Sequence, residues 1–276
     1  MPTTTPSEPP AGFALALETS SLWGSVALGC GDEVLRLRAL DRPRRHAADL
    51  LPVIAGLCQD EGVSPERIEA VYVSAGPGSF TGLRIGFTVA RTLALAHGAR
   101  VLGVPSLTVL AQNALAAEPV PTRVVVMTDA QRGRVYAAFF KLDGERFTAT
   151  TEPEEVNPAD GLTSLVPEQN CAGQGAARAA EATGKGVSDA DAPGEGTANV
   201  AVLGEAVEMH RAVIGAAGWR MLPEEFSRPS AAALYALGRA KALRSGFSDP
   251  RTLLPLYVRR PEAEEKREQR HGGAGE

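Results

Sequence analysis

Apolar residues come in short blocks set between turn residues, and the spacing inside each block predicts its form. Residues 13–17 are a continuous apolar run ending in Glu18-Thr19-Ser20-Ser21; a second run covers 25–28 after Gly24, and a third, alternating one covers 33–40. Three short strands joined by hairpin-like links near Gly24 and Gly31-Asp32 are expected. From 46 to 59 the period changes: Ala47, Leu50, Leu51, Ile54, Leu57 and Cys58 recur at helical spacing, Gly62 is available as a stop, and Pro52 kinks the helix or marks its first turn. A strand at 70–75, a long helix at 79–97 closed by Gly98, a strand at 101–104 and a helix opened by Pro105-Ser106 and reaching about Ala117 follow. A mixed sheet with crossover helices packed on it buries these faces.

The pattern then restarts. An apolar strand at 124–127 ends in Thr128-Asp129, Gly133 follows, then strands at 135–140 and 146–151 around the turn Asp143-Gly144. Both copies carry an apolar strand, a carboxylate at its end (Glu18, Asp129), a glycine-containing turn and a second strand, so a duplicated lobe is the simplest account. Residues 171–175 suggest one more strand and turn, and 184–196 reads as a flexible Gly/Asp/Ala-rich insertion. A helix at 230–243 after Pro229 closes near Gly246, and a short terminal strand is expected at 253–258. The domain plan is a disordered N-terminus at 1–12, a first lobe at 13–108 completed by the C-terminal helix 229–246, a second, degenerate lobe at 109–260, and a disordered tail at 261–276.

A length of 276 residues lies near the size at which one core splits into two. No stretch reaches the roughly eighteen uninterrupted apolar positions of a membrane span, and the opening residues are neither basic nor apolar, so no membrane contact and a cytoplasmic location are expected. Three cysteines, Cys30, Cys58 and Cys171, are scattered and odd in number, which predicts buried thiols rather than a disulfide framework. A net charge of -5 lacks the basic footprint of an autonomous nucleic-acid binder. Locally, Arg36, Arg38, Arg42, Arg44 and Arg45 form either a solvated face or a polyanion contact within a complex.

The sharpest motif is Gly-Pro-Gly-Ser-Phe-Thr-Gly at 76–82, joining a strand to a helix. Gly76 and Gly78 permit a tight reversal and Ser79 can cap the helix, whose free N–H groups would suit an anion as well as a purely structural turn. The block lacks the Lys-Ser/Thr of a P-loop and misses the dinucleotide spacing by one. Glu18 and Asp129 could act as metal-binding or acid/base carboxylates across an interlobe cleft, or simply accept local backbone hydrogen bonds. The four histidines form no His-x-x-x-His pair and there is no Gly-x-Ser-x-Gly elbow, so neither a catalytic set nor a cofactor of the chain's own is expected. On the helix at 79–97, Leu83 with Phe87, and Ile85 with Val89 and Leu93, point in different directions, while Gly82, Gly86, Ala90 and Ala94 form a small-residue line. A helix apolar on several sides is covered on several sides, by its own lobe or by another subunit.

Several stretches are similar to the TsaB (YeaZ-type) family of the bacterial tRNA threonylcarbamoyladenosine machinery: Leu15-Ala16-Leu17-Glu18-Thr19-Ser20 with Ser25-Val26-Ala27-Leu28, His46 with Leu50-Leu51-Pro52, the block GPGSFTGLRIG at 76–86, Gly103-Val104-Pro105-Ser106-Leu107, Asp129-Ala130-Gln131-Arg132 with Val135-Tyr136, and Pro255-Leu256-Tyr257-Val258-Arg259. The resemblance implies an α/β, two-lobed actin-like ATPase fold, each lobe a mixed β-sheet with packed helices. It also implies a non-catalytic dimerisation or scaffold role beside the catalytic paralogue TsaD, which transfers threonylcarbamoyl to the adenosine next to the tRNA anticodon. Pairing would use the two first-lobe helices, with candidate contacts His46, Leu50, Leu51, Ile54, Gly82, Leu83, Arg84, Ile85, Gly86, Phe87, Thr88, Val89 and Arg91. A TsaE-like ATPase would join, tRNA would be met only through the complex, and the isolated chain could form a homodimer. Anion or nucleotide candidates are Glu18, Thr19, Gly76, Gly78, Ser79 and Asp129. Glu18 stands where the family usually has Asp, and 176–218 matches nothing in it. The competing expectations are an actin-fold kinase or ATPase using the cleft, and a metallopeptidase, which the missing histidine pair disfavours.

Overall fold

A computed structural model describes residues 12–40, 46–166 and 200–258. Residues 1–11 of the expected disordered start at 1–12, the expected tail at 261–276, the strand at 171–175, the insertion at 184–196, and Arg42, Arg44, Arg45, Cys171 and Arg259 lie outside the described residues. Two compact units are present: one runs to Val109 and resumes at Pro229, and the other is Leu110–Arg228. Residues 247–258 therefore group with the first unit, whereas the sequence had placed them in the second.

The first unit opens with β1 (Phe13–Glu18), β2 (Ser25–Cys30) and β3 (Glu33–Ala39), then α1 (His46–Asp60), β4 (Ile68–Ser74), α2 (Phe80–His97), β5 (Arg100–Val104) and α3 (Ser106–Ala111). Its sheet has the order β3-β2-β1-β4-β5, with β1 antiparallel to β2 and parallel to β4. Alternation along the strands splits the core in two. Leu15, Leu17, Val71 and Val73 lie in one cluster with Leu50, Ile54, Phe87 and Ala90 of α1 and α2. Ala14, Ala16, Ala70 and Tyr72 lie in the other, with Leu234 and Tyr235 of the late helix.

The second unit repeats the plan with β6 (Arg123–Asp129), β7 (Val135–Asp143), β8 (Arg146–Ala149), β9 (Glu154–Val156), α4 (Pro158–Gly161), β10 (Val200–Leu203), α5 (Arg211–Ala216) and β11 (Arg220–Met221). Its sheet order is β11-β10-β6-β7-β8, with β9 also on β7. Each unit thus centres its first strand between an antiparallel hairpin and two parallel strands. That shared order is the duplication, written in hydrogen bonds. The last helix, α6 (Ala231–Ser245), is capped by Ser230 Oγ and returns to the first sheet, where Ser25 Oγ accepts from the Ala231 N–H at 2.9 Å.

Two expectations change. The helix reaching Ala117 stops at Ala111 and tightens to a 3-10 turn over Gln112–Ala116. The expected strand at 253–258 is extended chain without a ladder: Leu256 N–H donates to Ala75 O at 2.6 Å, but the preceding Pro255 has no N–H to give.

Candidate functional site

Where β1 ends, the turn that follows it packs against the start of α2, and most of its polar groups are buried. Glu18, Thr19 and Ser74 have no exposed surface, and Ser20, Ser21 and His46 have little. One Glu18 oxygen, Oε1, accepts from Ser20 N–H at 2.8 Å and from its hydroxyl at 2.5 Å, while Oε2 has no partner among the described residues. Burial raises the Glu18 pKa above the ordinary carboxylate range because the charged form loses its water, and the Ser20 hydrogen bonds offset only part of that. A ring nitrogen of His46, Nε2, lies 2.9 Å from Ser21 O, which ties the first residue of α1 to the same turn.

The Gly76–Gly82 block is held from both sides. Its Gly76 N–H donates to Ser106 Oγ at 2.9 Å, Ser79 N–H to Ser20 O at 2.7 Å, and Gly82 N–H to the capping Ser79 Oγ at 3.2 Å. Three of the amides that could have met an anion therefore face protein oxygens. The glycines serve close approach: Gly76 has φ +99°, a side chain at Gly78 would collide with Ser20 O, and one at Gly82 with Thr19 O. In the second unit, Asp129 Oδ1 accepts from Gln131 N–H at 2.7 Å, fixing a turn in which Gln131 and Arg132 have φ +69° and +57°.

The expected interface residues divide sharply by position. His46, Leu50, Ile54, Gly82, Leu83, Gly86, Phe87 and Val89 are buried within the first unit itself, Ile85 and Arg91 are half-buried, and only Leu51, Arg84 and Thr88 are exposed. The small-residue line was expected to accept a partner helix. Instead Gly86 backs onto Thr19 and Val73, and Ala90 is buried in the core with Val73 and Phe87, because the helix must lie close over the sheet where β1 ends. Leu83 and Phe87 complete one buried face rather than a second open one. What sequence reasoning missed is the outer stripe of α2, where Phe80 is 40% and Leu95 is 72% exposed. Large apolar residues at helical spacing opposite a glycine line were the signal for it.

Two mixed sheets of matching strand order, each carrying helices, mark an α/β protein of the actin-like ATPase fold. The family model described as TsaD, tRNA N6-adenosine threonylcarbamoyltransferase, matches residues 41–267, and the chain belongs to that family, as a TsaB/YeaZ-type member. It is 36% identical over 149 residues to the tRNA threonylcarbamoyladenosine biosynthesis protein TsaB of Escherichia coli, covering 52% of this chain and 64% of that protein. With the TsaB of Bacillus subtilis the identity is 30% over 151 residues, covering 55% and 65%. The match thus spans just under two thirds of each of these two relatives. A solved structure from Pseudomonas aeruginosa, described as an uncharacterized protein with similarity to peptidase YEAZ, superposes with TM-score 0.65 at 25% identity, over 90% of this chain and all (100%) of that one. Among the described residues, no helix is long and apolar enough to cross a membrane.

Proposed function

We propose that the chain takes part in threonylcarbamoyladenosine modification of tRNA as a non-catalytic scaffold, pairing with a TsaD-like catalytic subunit through the exposed side of α1 and α2. The observation that carries this is the outer surface of the two helices: α1 and α2 seat their buried residues on their own sheet and leave Leu51, Arg84, Thr88 and Leu95 outward. Relatives named for the same modification supply the chemical context. Glu18, fully buried and bonded to Ser20 through Oε1, supports a role without catalysis of the chain's own. On this reading the chain takes no cofactor by itself, a TsaE-like ATPase joins the assembly in the cytoplasm, tRNA is met only through the complex, and isolated chains can pair with one another through the same helices.

Co-expression with the TsaD-like subunit of the same organism tests it. The two should co-purify, and Thr88→Glu, on an exposed position, should abolish pairing without lowering the melting temperature of the lone chain. Normal pairing of Thr88→Glu would place the interface elsewhere, and micromolar binding of magnesium-ATP to the isolated chain would favour the kinase or ATPase reading instead.

A further inference from the structure

The segment after α6 returns along α2. At one end, an Arg91 guanidinium N–H donates to Leu253 O, and at the other the rings of Phe80 and Tyr257 lie 5.5 Å apart. Between them Leu256 N–H donates to Ala75 O, and Leu256 O sits against Gly76. Phe80 to Arg91 along a helix is about 16 Å at a rise of 1.5 Å per residue, and Leu253 to Tyr257 in extended chain is about 13 Å. The two lengths are comparable, and the contacts at both ends set residues 253–257 antiparallel beside α2 as a strap.

The strap turns apolar side chains outward. Leu254 is 68% exposed, Leu256 41% and Tyr257 36%, and on the helix Phe80, which meets Tyr257, and Leu95 are exposed as well. Arg84 stacks its guanidinium 3.8 Å from the Phe80 ring centre. Neither α2 nor residues 252–258 contain an aspartate or glutamate. We infer that the α2 outer stripe and the 253–257 strap form one docking surface for a protein partner, the TsaD-like catalytic subunit, through an apolar face of that partner edged with carboxylates.

Exposed leucines favour protein over nucleic acid here, since an aliphatic side chain gains little from a phosphate backbone, whereas apolar cores with arginine are typical of protein interfaces. Carboxylates on the partner would meet Arg84 where the surface offers it no acid of its own. The inference rests on the proposed pairing and adds the strap to it.

The test is sedimentation of the full chain with its TsaD-like subunit, using Leu254→Glu and the milder Leu254→Ala beside Thr88→Glu. Leu254 is largely exposed, so the lone-chain melt should be unchanged. Leu254→Glu should weaken pairing at least tenfold, and Leu254→Ala severalfold. If Thr88→Glu abolishes pairing while both Leu254 variants pair like wild type, the strap is no part of the surface and the pairing reading stands. If Thr88→Glu also pairs normally, the outer face of α2 is not the pairing surface, and the inference fails with that placement. If the Leu254 variants keep pairing but lose tRNA binding by the complex, the occupant is RNA and the inference is overturned.

Discussion

The ring of Tyr72 on β4 meets the ring of Tyr235 on α6 nearly edge-on, 5.6 Å between centres and 86° between planes, and Gly238 gives α6 the clearance to sit over Tyr72. The two hydroxyls fare differently. Tyr235 donates to Gly31 O at 3.0 Å, while the buried Tyr72 hydroxyl has no partner among the described residues.

Tyr72→Phe should therefore leave stability unchanged or raise it by about 1 kcal/mol, because it removes an unsatisfied buried hydroxyl. Tyr235→Phe should lower it by about 1 kcal/mol through the lost bond and the orphaned Gly31 carbonyl. Urea unfolding of both variants checks the opposite signs.

Stability of the first unit should fall as pH rises through the weakly acidic range. Glu18 is held above the ordinary carboxylate range by burial. Below that range the carboxyl is protonated in folded and unfolded chain alike, and nothing is lost. As pH climbs, the unfolded chain ionises first, and stability declines until the folded carboxyl ionises too. Glu18→Gln should flatten this decline; a variant with the wild-type slope would assign the pH dependence to another group.

Gly82→Ala should cost about 2 kcal/mol or more, since the new methyl meets the Thr19 backbone carbonyl and α2 must shift to admit it. Gly56→Ala in α1 is the contrast, because its methyl meets only the Arg38 guanidinium end at 2.7 Å, which can swing away. Helix propensity then gains roughly 0.5 to 1 kcal/mol, and its thermal midpoint should match or exceed wild type.

Arg36 pairs with the half-buried Glu61 at 2.7 Å and Arg38 with Asp60, and both arginines are exposed. Replacing both arginines by alanine should change stability by less than about 1 kcal/mol. With their charge already matched, the salt dependence of tRNA binding by the complex should keep its slope.

The strand runs, the Ser79 cap and the Gly98 stop were legible because each is a local event, fixed by residues within a few positions. Equally plain was the duplication, since the carboxylate and turn recur at the end of the first strand in both halves. The role of the glycine line was not, because whether Gly82 and Gly86 accept a partner or the chain's own Thr19 depends on a residue more than sixty positions away. Nor was the strap, as Leu253 to Val258 is apolar enough for a strand and only its docking beside Arg91 and Phe80 shows that it forms none. The carboxylate of Glu18 was read as either chemical or structural; its two Ser20 bonds show a local partner, two residues on.

The order in which the units appear along the chain bears on synthesis. Ala231 must reach Ser25, 206 positions earlier, before the Tyr72 side of the first sheet is covered. A ribosome will have emitted all of Leu110–Arg228 by then. During that interval Ala14, Ala16, Ala27, Tyr72 and Leu102 lack the cover of α6, so the half made first is the half finished last. A nascent chain stalled before α6 is thus a sticky one, and a truncated message would yield a chaperone client rather than a smaller working subunit.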